Sequence, residues 1–339
     1  MRDRIEVEQL QIGMYVVLPA PWLKHPFLKN EFVINSTDQI EKIIDAGFDE
    51  VVIDTARGMP VANDSPRCAE PEEEREEDKN IQFVPPRVWE PEKLVPPLLK
   101  EAIRDRALSP EKKSKIVYQC SLELMGKLLE DPKTENIREA KKGISDIVDL
   151  IISDDATSRE LLRITSYDFY TYTHSVNVGV LAVMLSKSLY RSSNAHDMHE
   201  LGAGFFLHDI GKVRVDPSII NKRGSLDRSE MEKIRLHPTQ GYQLLSEAKQ
   251  ISEECRIIVM QHHERANGSG YPHRLRGRDI HPYGRICCIA DVYDALTSER
   301  SYKQRLSTFD ALKYMKEQML SHFENDMFER FVRLFSSRK

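Results

Sequence analysis

The segment Phe206-Leu-His-Asp-Ile-Gly-Lys212 places a histidine and an aspartate side by side at His208 and Asp209. The pair offers an imidazole nitrogen and a carboxylate at one point of the backbone, and the two carboxylate oxygens can bridge two metal ions. A set of histidine and aspartate ligands without cysteine suits manganese, iron or another borderline-to-hard divalent metal. Further candidate ligands of this kind are His174, His237, His262, His263 and Asp291.

The segments that carry these residues follow one another in a distinctive order. The first, His262 to Pro272, reads His-His-Glu-Arg-Ala-Asn-Gly-Ser-Gly-Tyr-Pro, the second, Ala290 to Ser298, reads Ala-Asp-Val-Tyr-Asp-Ala-Leu-Thr-Ser, and Arg300-Ser-Tyr-Lys303 comes next. A lone His-Asp pair arises by chance, but the whole ordered series does not. From about Tyr167 to Lys303, this order and spacing resemble the HD-GYP family, a branch of the HD-domain metal phosphohydrolases.

The resemblance implies two metal sites that share Asp209. It assigns the first ion to His174, His208, Asp209 and Asp291. It assigns the second ion to Asp209, His237, His262 and His263. Both ions are divalent, with iron or manganese foremost and magnesium, nickel, zinc or cobalt as alternatives. Two such ions about 3.5–4 Å apart lower the pKa of water and neutralise phosphate charge, which is the chemistry that phosphodiester hydrolysis needs.

The same resemblance implies a set of substrate contacts. Lys212 follows Asp209 by three residues, a spacing that puts both side chains on one face of a helix. By resemblance Lys212 contacts substrate phosphate, and it is also a candidate proton donor, so Asp209 and Lys212 form the predicted catalytic pair. Arg300 and Lys303 are implied to reach phosphate, and Tyr271 to line the substrate pocket.

The sequence departs from the family pattern at three positions. Some members carry a glutamate four residues before the first ligand histidine and hold a third metal with it, whereas Tyr170 stands there in this chain. We therefore expect two ions. Asn267 replaces the usual aspartate, and Ser301 replaces the usual proline. None of these changes removes a ligand of the two-metal core.

Composition and charge narrow the class of protein. Of the 339 residues, 40% are hydrophobic and 30% are charged, which is ordinary for a globular protein. The sequence has no apolar run near the roughly 18–20 residues that span a bilayer and no apolar signal core at its start. Five cysteines without Cys-x-x-Cys spacing indicate a reducing compartment, and we expect the cytoplasm. A net charge of −5 argues against a nucleic-acid polymer as partner.

The sequence pattern around the motifs predicts a mainly α protein. It has an all-helical HD-type domain and a small N-terminal α+β domain. Residues 1–60 read as the small β-rich domain, 61–97 as a Pro/Glu-rich linker, 98–160 as a helical connecting segment and 161–339 as the catalytic domain. The N-terminal part is similar to an accessory domain often found ahead of HD-GYP domains. Its β-prone runs begin at Ile5, Met14, Phe32 and Val51, and a helical pattern covers Ser36–Gly47. In the catalytic domain we expect helices over Ser229–Lys249 and Glu253–Glu264 and a loop over Asn267–Pro272.

The resemblance implies a phosphodiesterase that hydrolyses cyclic di-GMP to linear pGpG, with GMP as a further product left open. Two alternatives stay open. The first is a catalytically weak HD-GYP protein that senses nucleotide and signals, and the second is an HD hydrolase of another phosphoester. A homodimer and a protein signalling partner also stay open.

Overall fold

The computed structural model describes residues 2–17, 31–34, 36–45, 48, 50–54, 88–164, 171–191, 193, 195–220, 222, 225–298 and 305–336. The chain divides into two compact units, Met1–Phe83 and Val84–Lys339. Among the described residues, no helix has both the length and the apolar character needed to cross a membrane. The linker predicted over 61–97 lies largely outside the described residues.

The first unit contains a four-stranded antiparallel sheet in the order β1-β4-β2-β3. Ile5 pairs with Val51 and Val16 pairs with Ile53, and all four side chains are buried. The alternation of buried and less buried residues along β4 is the period of two expected of a strand with one face on a core. The predicted small α+β unit is confirmed. Its elements are β1 (Arg2–Glu6), β2 (Tyr15–Val17), β3 (Glu31–Val33), α1 (Thr37–Asp45) and β4 (Glu50–Asp54).

The regular elements of the second unit are all helices among its described residues, as the sequence predicted. Its α-helices are α2 (Pro97–Arg104), α3 (Pro110–Glu130), α4 (Thr134–Ser153), α5 (Asp155–Ile164), α6 (Thr171–Tyr190), α7 (Met198–Phe206), α8 (Pro217–Ile220), α9 (Arg228–Ile234), α10 (His237–Glu247), α11 (Glu253–Gln261), α12 (Pro282–Thr297), α13 (Thr308–Gln318) and α14 (Asn325–Leu334). Short 3-10 turns cover Pro91–Lys93, Ile210–Arg214, Gly277–Asp279 and Leu320–His322.

Helix α6 lies at the centre of this unit. It packs against α3, α7 and α12, and its apolar residues are buried on all sides, as expected of a helix that is hydrophobic all round. Because its neighbours enclose this part of α6, the buried polar side chains of His174 and Asn177 need partners inside the protein.

Two predicted helices end differently from the prediction, and both changes place candidate ligands. The segment Ser229–Lys249 forms two helices, α9 and α10, because Pro238 has no backbone N–H with which to continue the hydrogen bonds of α9, whereas proline is tolerated in the first turn of a new helix. His237 consequently begins α10 and does not lie within a longer helix. Helix α11 ends at Gln261 rather than Glu264, since the His262 ring binds the carbonyl of Val259 and the chain turns away.

Gly211 lets two of the ligand-bearing segments approach each other. It lies in the turn Ile210–Arg214, which packs against α10. A Cβ atom at this position would stand 1.9 Å from the carbonyl oxygen of His237. Only glycine fits here, so the backbone that follows Asp209 can touch the start of α10.

Candidate metal centre

Five separate points of the chain bring the seven predicted ligands together. His174 lies in α6, His208 and Asp209 follow the end of α7, and His237 begins α10. Asp291 lies in α12. The adjacent His262 and His263 follow α11 directly. Ligands at helix ends have their backbone fixed by the helix while the side chain turns into the centre.

The first group of donor atoms is formed by His174, His208 and Asp209. The Nε2 atom of His174 lies 3.3 Å from Nε2 of His208 and 3.4 Å from Oδ2 of Asp209. The Nε2 atom of His208 lies 3.4 Å from the same Oδ2 oxygen. Three potential metal ligands therefore converge on one point.

The second group is formed by Asp209, His237, His262 and His263. Here the other oxygen of Asp209, Oδ1, lies 3.1 Å from Nε2 of His237 and 3.6 Å from Nε2 of His262. The Nε2 atoms of His237 and His262 are 3.1 Å apart. Asp209 thus turns one oxygen toward each group.

Asp291 also lies between the two groups. Its Oδ1 oxygen is 3.3 Å from Nε2 of His174, and its Oδ2 oxygen is 3.5 Å from Nδ1 of His263. The sequence-based assignment gave Asp291 to the first ion, and this geometry adds an approach to the second group.

The orientation of three histidine rings fits a cation better than it fits hydrogen bonds among the rings. The Nδ1 atom of His208 binds the carbonyl of Phe205, that of His237 binds Ile234 and that of His262 binds Val259, at 2.7–2.9 Å. A carbonyl accepts only, so each Nδ1 is protonated and each neutral ring presents an unprotonated Nε2. Two such nitrogen lone pairs facing each other at about 3 Å repel unless a cation lies near them, and this is how ligand histidines are usually held.

Burial of the centre supports the same conclusion. His208, His237 and His262 are fully buried, and Asp209 is 1% exposed. The Oδ1 oxygen of Asp209 accepts no hydrogen bond from the described residues. A buried carboxylate oxygen without a partner is costly, and a divalent ion would remove that cost. The residues present therefore fit a bound metal.

The pKa shifts of His262 and Asp209 favour the protonation states that metal ligands require, whereas the shift of His174 in the metal-free protein favours the protonated ring. Burial lowers the pKa of His262 to about 4, so its ring is neutral at pH 7. Burial alone would raise the pKa of Asp209, but Lys212 and the neighbouring histidines outweigh it and hold that pKa well below its usual range. Burial lowers the pKa of His174, but hydrogen bonds with Asp209, Asp291 and Asp294 outweigh it and raise that pKa well above its usual value.

Sequence reasoning missed two buried residues behind His174. Asp294 Oδ2 lies 2.7 Å from Nδ1 of His174, and Asn177 Nδ2 donates to Oδ1 of Asp294 at 2.7 Å. Both residues could have been found from helical spacing, since Asp294 follows Asp291 by three residues and Asn177 follows His174 by three.

The predicted loop over Asn267–Pro272 is confirmed as irregular structure, and its supports are clear. Asn267 Oδ1 accepts from the backbone N–H of Ser269 at 3.0 Å, so the asparagine still makes the turn without the usual aspartate. Glu264, which sequence reasoning passed over, is buried and accepts from the backbone N–H groups of His273 and Leu275. These bonds fix the loop beside the centre.

Tyr271 presents its ring to the centre. The ring centroid lies 4.6 Å from that of His263 and 6.4 Å from that of His237. The guanidinium of Arg235, an exposed residue, lies 5.6 Å from the centroid of the same ring. Arg235 did not figure in the sequence-based site, because nothing in its local sequence connects it with Tyr271.

Lys212 lies beside the shared aspartate, with Nζ 2.5 Å from Oδ2 of Asp209. Its side chain is 21% exposed, so it joins the buried centre to the surface. Arg300, Lys303 and Tyr170 lie outside the described residues. The structure thus brings together the seven predicted ligands, Lys212 and Tyr271, and the roles implied for Arg300 and Lys303 stay predictions.

Comparison with known families decides the assignment of the fold. The sequence model of the HD domain family matches residues 158–327, which is half of the chain. The matched segment includes all seven candidate ligands. The chain belongs to the HD domain family. A second model, a domain of unknown function called DUF3391, matches residues 2–151 of this HD domain protein. The predicted combination of an HD-type domain with a distinct N-terminal region is confirmed.

Relatives of this HD domain protein include named phosphodiesterases. A cyclic di-GMP phosphodiesterase of Pseudomonas aeruginosa is 31% identical over 98% of the chain and 76% of its own length. A 3'3'-cGAMP-specific phosphodiesterase of Vibrio cholerae is 40% identical, but over 36% of the chain and 24% of its own length. Among solved structures, Bd1817, a HDG"Y"P protein from Bdellovibrio bacteriovorus, matches with a TM-score of 0.60 at 16% identity over 98% of this chain and 99% of that one. That structural likeness supports the fold alone.

Proposed function

We propose that this HD domain protein hydrolyses cyclic di-GMP with two divalent metal ions held by the seven histidine and aspartate ligands. The observation that carries the proposal is the convergence of two donor groups on the two oxygens of Asp209. The relative of Pseudomonas aeruginosa, which is similar along almost the whole chain, is named as a cyclic di-GMP phosphodiesterase and supports the choice of substrate.

The ligand set determines which metals suit the centre. His174, His208 and Asp209 would hold one ion, and His237, His262 and His263 with Asp209 would hold the other, while Asp291 lies within reach of both. Imidazole with carboxylate suits iron or manganese first, with magnesium, nickel, zinc and cobalt as further candidates. When bound, such ions act as Lewis acids on phosphate oxygens and lower the pKa of water.

The chain's own residues would bind and orient the substrate. Lys212 places a positive charge at the surface end of the centre, where it can hold a phosphate oxygen or give a proton to the leaving oxygen. The ring of Tyr271 lies beside the ligands, 4.6 Å from the ring of His263, where it can contact a nucleobase of the substrate. A cyclic dinucleotide carries two phosphates, so one would face the metal centre and Lys212 while the exposed Arg235, next to the Tyr271 ring, meets the other.

Some parts of the proposal come from the sequence and the family resemblance. Arg300 and Lys303 are proposed as further phosphate contacts, and pGpG as the first product, with GMP after a second hydrolysis. We also propose a cytoplasmic location, which the buried, free thiols of Cys120, Cys255, Cys287 and Cys288 support. A homodimer and a protein signalling partner stay predictions.

A second substrate has its own support. The Vibrio cholerae relative specific for 3'3'-cGAMP is 40% identical over the part of the chain it matches. 3'3'-cGAMP differs from cyclic di-GMP in one base only, so the metal centre and Lys212 would treat its phosphates alike. Discrimination would then depend on the contacts made by the bases near Tyr271. A nucleotide sensor without turnover is disfavoured, because all seven ligands are present and lie together.

The test is a direct assay of the purified full chain. We would strip the metals, reload with manganese or with iron(II) under reducing conditions, and incubate with cyclic di-GMP or 3'3'-cGAMP in separate reactions. Chromatography of the products should show pGpG from cyclic di-GMP, and a His262→Ala variant should show none. If 3'3'-cGAMP is hydrolysed faster than cyclic di-GMP, then 3'3'-cGAMP is the preferred substrate. If a fully metal-loaded protein leaves both dinucleotides intact, the proposed reaction is wrong.

A further inference from the structure

A continuous chain of side-chain hydrogen bonds runs from α3 to a candidate metal ligand. The hydroxyl of Tyr118 donates to Oδ1 of Asn177 at 2.7 Å. Asn177 Nδ2 donates to Oδ1 of Asp294 at 2.7 Å, and Oδ2 of Asp294 lies 2.7 Å from Nδ1 of His174. The four residues come from three helices, and the central one, α6, packs against both α3 and α12. All four side chains are buried.

The direction of each hydrogen bond follows from the chemistry of the groups. A carboxylate accepts and cannot donate, so Asp294 must face the NH2 group of Asn177 and the protonated Nδ1 of His174. The amide oxygen of Asn177 then points toward α3, where it needs a donor, and the Tyr118 hydroxyl supplies it. At the other end of the hydrogen-bond chain, the proton of the neutral His174 ring is held on Nδ1. The unprotonated Nε2 atom then faces His208 and Asp209.

Tyr118 lies outside the part of the chain that the HD domain model matches. That match begins at residue 158, whereas Tyr118 lies within the 2–151 match to the domain of unknown function. Helix α3 nevertheless packs directly on α6, the helix that carries His174. The support for a ligand of the HD domain therefore begins on a helix that precedes that domain in the chain.

We propose that Tyr118 is a positioning residue for the first metal group, acting through Asn177 and Asp294 on His174. The inference rests on the proposed metal centre, since His174 must be a ligand for its orientation to matter. Asn177 is fully buried, so water cannot replace a lost donor at its Oδ1 atom. Without the Tyr118 hydroxyl, the amide is free to rotate away from Asp294, and the carboxylate no longer holds the His174 ring in one orientation.

The test is metal affinity, measured on the full chain without substrate. We would titrate metal-free protein with manganese and follow free Mn²⁺ by electron paramagnetic resonance. Asp294→Asn should weaken one of the two binding steps ten- to a hundredfold, as is typical when a group that holds a ligand histidine is changed. Tyr118→Phe acts from two residues further away and should weaken the same step about three- to tenfold, below that range.

Tyr283→Phe is the matched control. The Tyr283 hydroxyl also makes a 2.7 Å side-chain hydrogen bond, to Nδ1 of His196, which is not a candidate ligand. Both variants lose one hydroxyl, so the melting temperature of the metal-free protein reports what each loss does to the fold alone. We expect Tyr283→Phe to bind manganese like the parent at both steps.

The double variant Tyr118→Phe/Asp294→Asn separates a positioning role from simple packing. If Tyr118 acts through Asp294, the double variant should bind manganese no more weakly than Asp294→Asn alone. Additive losses in the double variant, or a Tyr118→Phe affinity within twofold of the parent, would overturn the proposal. The comparison of Tyr118→Phe with the parent remains a valid test even if Asp294→Asn does not fold. A parent that binds manganese but leaves cyclic dinucleotides intact would refute the proposed function without affecting this inference.

Discussion

Asp209 and Asp291 both lie between the same two sets of histidines. Asp209 turns Oδ2 toward His174 and Oδ1 toward His237, and Asp291 turns Oδ1 toward His174 and Oδ2 toward His263. Asp209 nevertheless connects the two groups more extensively than Asp291, because each of its two oxygens lies near two histidine nitrogens. The arrangement makes the two candidate sites interdependent, so damage to one segment should reach both.

Gly211→Ala should disrupt the centre without changing a ligand. The added methyl group would overlap the His237 carbonyl and push α10 away from Asp209. We expect the free energy of unfolding to fall by about 1–3 kcal/mol, the usual range for overpacking, and metal content to fall with it. Denaturant unfolding and elemental analysis measure the two effects.

Gly126→Ala provides the control for this substitution. Gly126 lies within α3, and a Cβ atom there meets nothing within 4 Å. Alanine in a helix interior should stabilise the protein by up to about 1 kcal/mol and leave the metals in place. A Gly211→Ala protein as stable and as metal-rich as Gly126→Ala would show that the close approach to α10 is not needed.

Lys212→Met should separate catalysis from metal binding. The variant keeps much of the side-chain length and removes the charge beside Asp209. A charge-assisted hydrogen bond is worth about 1.5–3 kcal/mol, so kcat/KM for cyclic di-GMP should fall roughly ten- to a hundredfold with both ions retained. Lys222→Met, which removes a lysine paired with Glu230, should match the parent. Unchanged turnover in Lys212→Met would assign Lys212 to the structure of the centre alone.

Arg235→Ala should affect substrate binding more than the chemical step. The guanidinium of Arg235 lies 5.6 Å from the centroid of the Tyr271 ring and is proposed to meet the second phosphate. Loss of that contact should raise KM about tenfold, near 1.5 kcal/mol, while kcat stays within about twofold. Arg228→Ala removes an arginine that is 95% exposed and should leave KM unaltered. Equal KM values for the two variants would place the second phosphate elsewhere.

The sequence predicted the fold class well, because the fold class depends on local patterns. The order of the motifs singled out seven candidate ligands that the structure brings together, and their role as ligands stays a prediction. The bounds of α10 and α11 were predicted less well. Pro238 divides one apolar pattern into two helices, and the His262 ring ends α11 through a bond to the backbone that no pattern reveals.

Residues that act across the fold were harder to predict. Arg235 and Tyr271 are 36 positions apart in the numbering, and Tyr118 and Asn177 are 59 apart. Each pair meets only because helices pack in three dimensions, and single sequences hold no signal for such contacts. Asp294 was within reach of sequence reasoning, because its spacing of three from Asp291 puts both carboxylates on one face of α12.

The metal content of Asp209→Ala tests the central claim most directly. Both donor groups include Asp209, so its loss should remove both ions, whereas Asp216→Ala, at an exposed aspartate nearby, should retain both. Elemental analysis after manganese reloading and desalting should give two ions per chain for the parent and for Asp216→Ala, and close to none for Asp209→Ala. Two ions per chain in Asp209→Ala would contradict the shared-ligand centre.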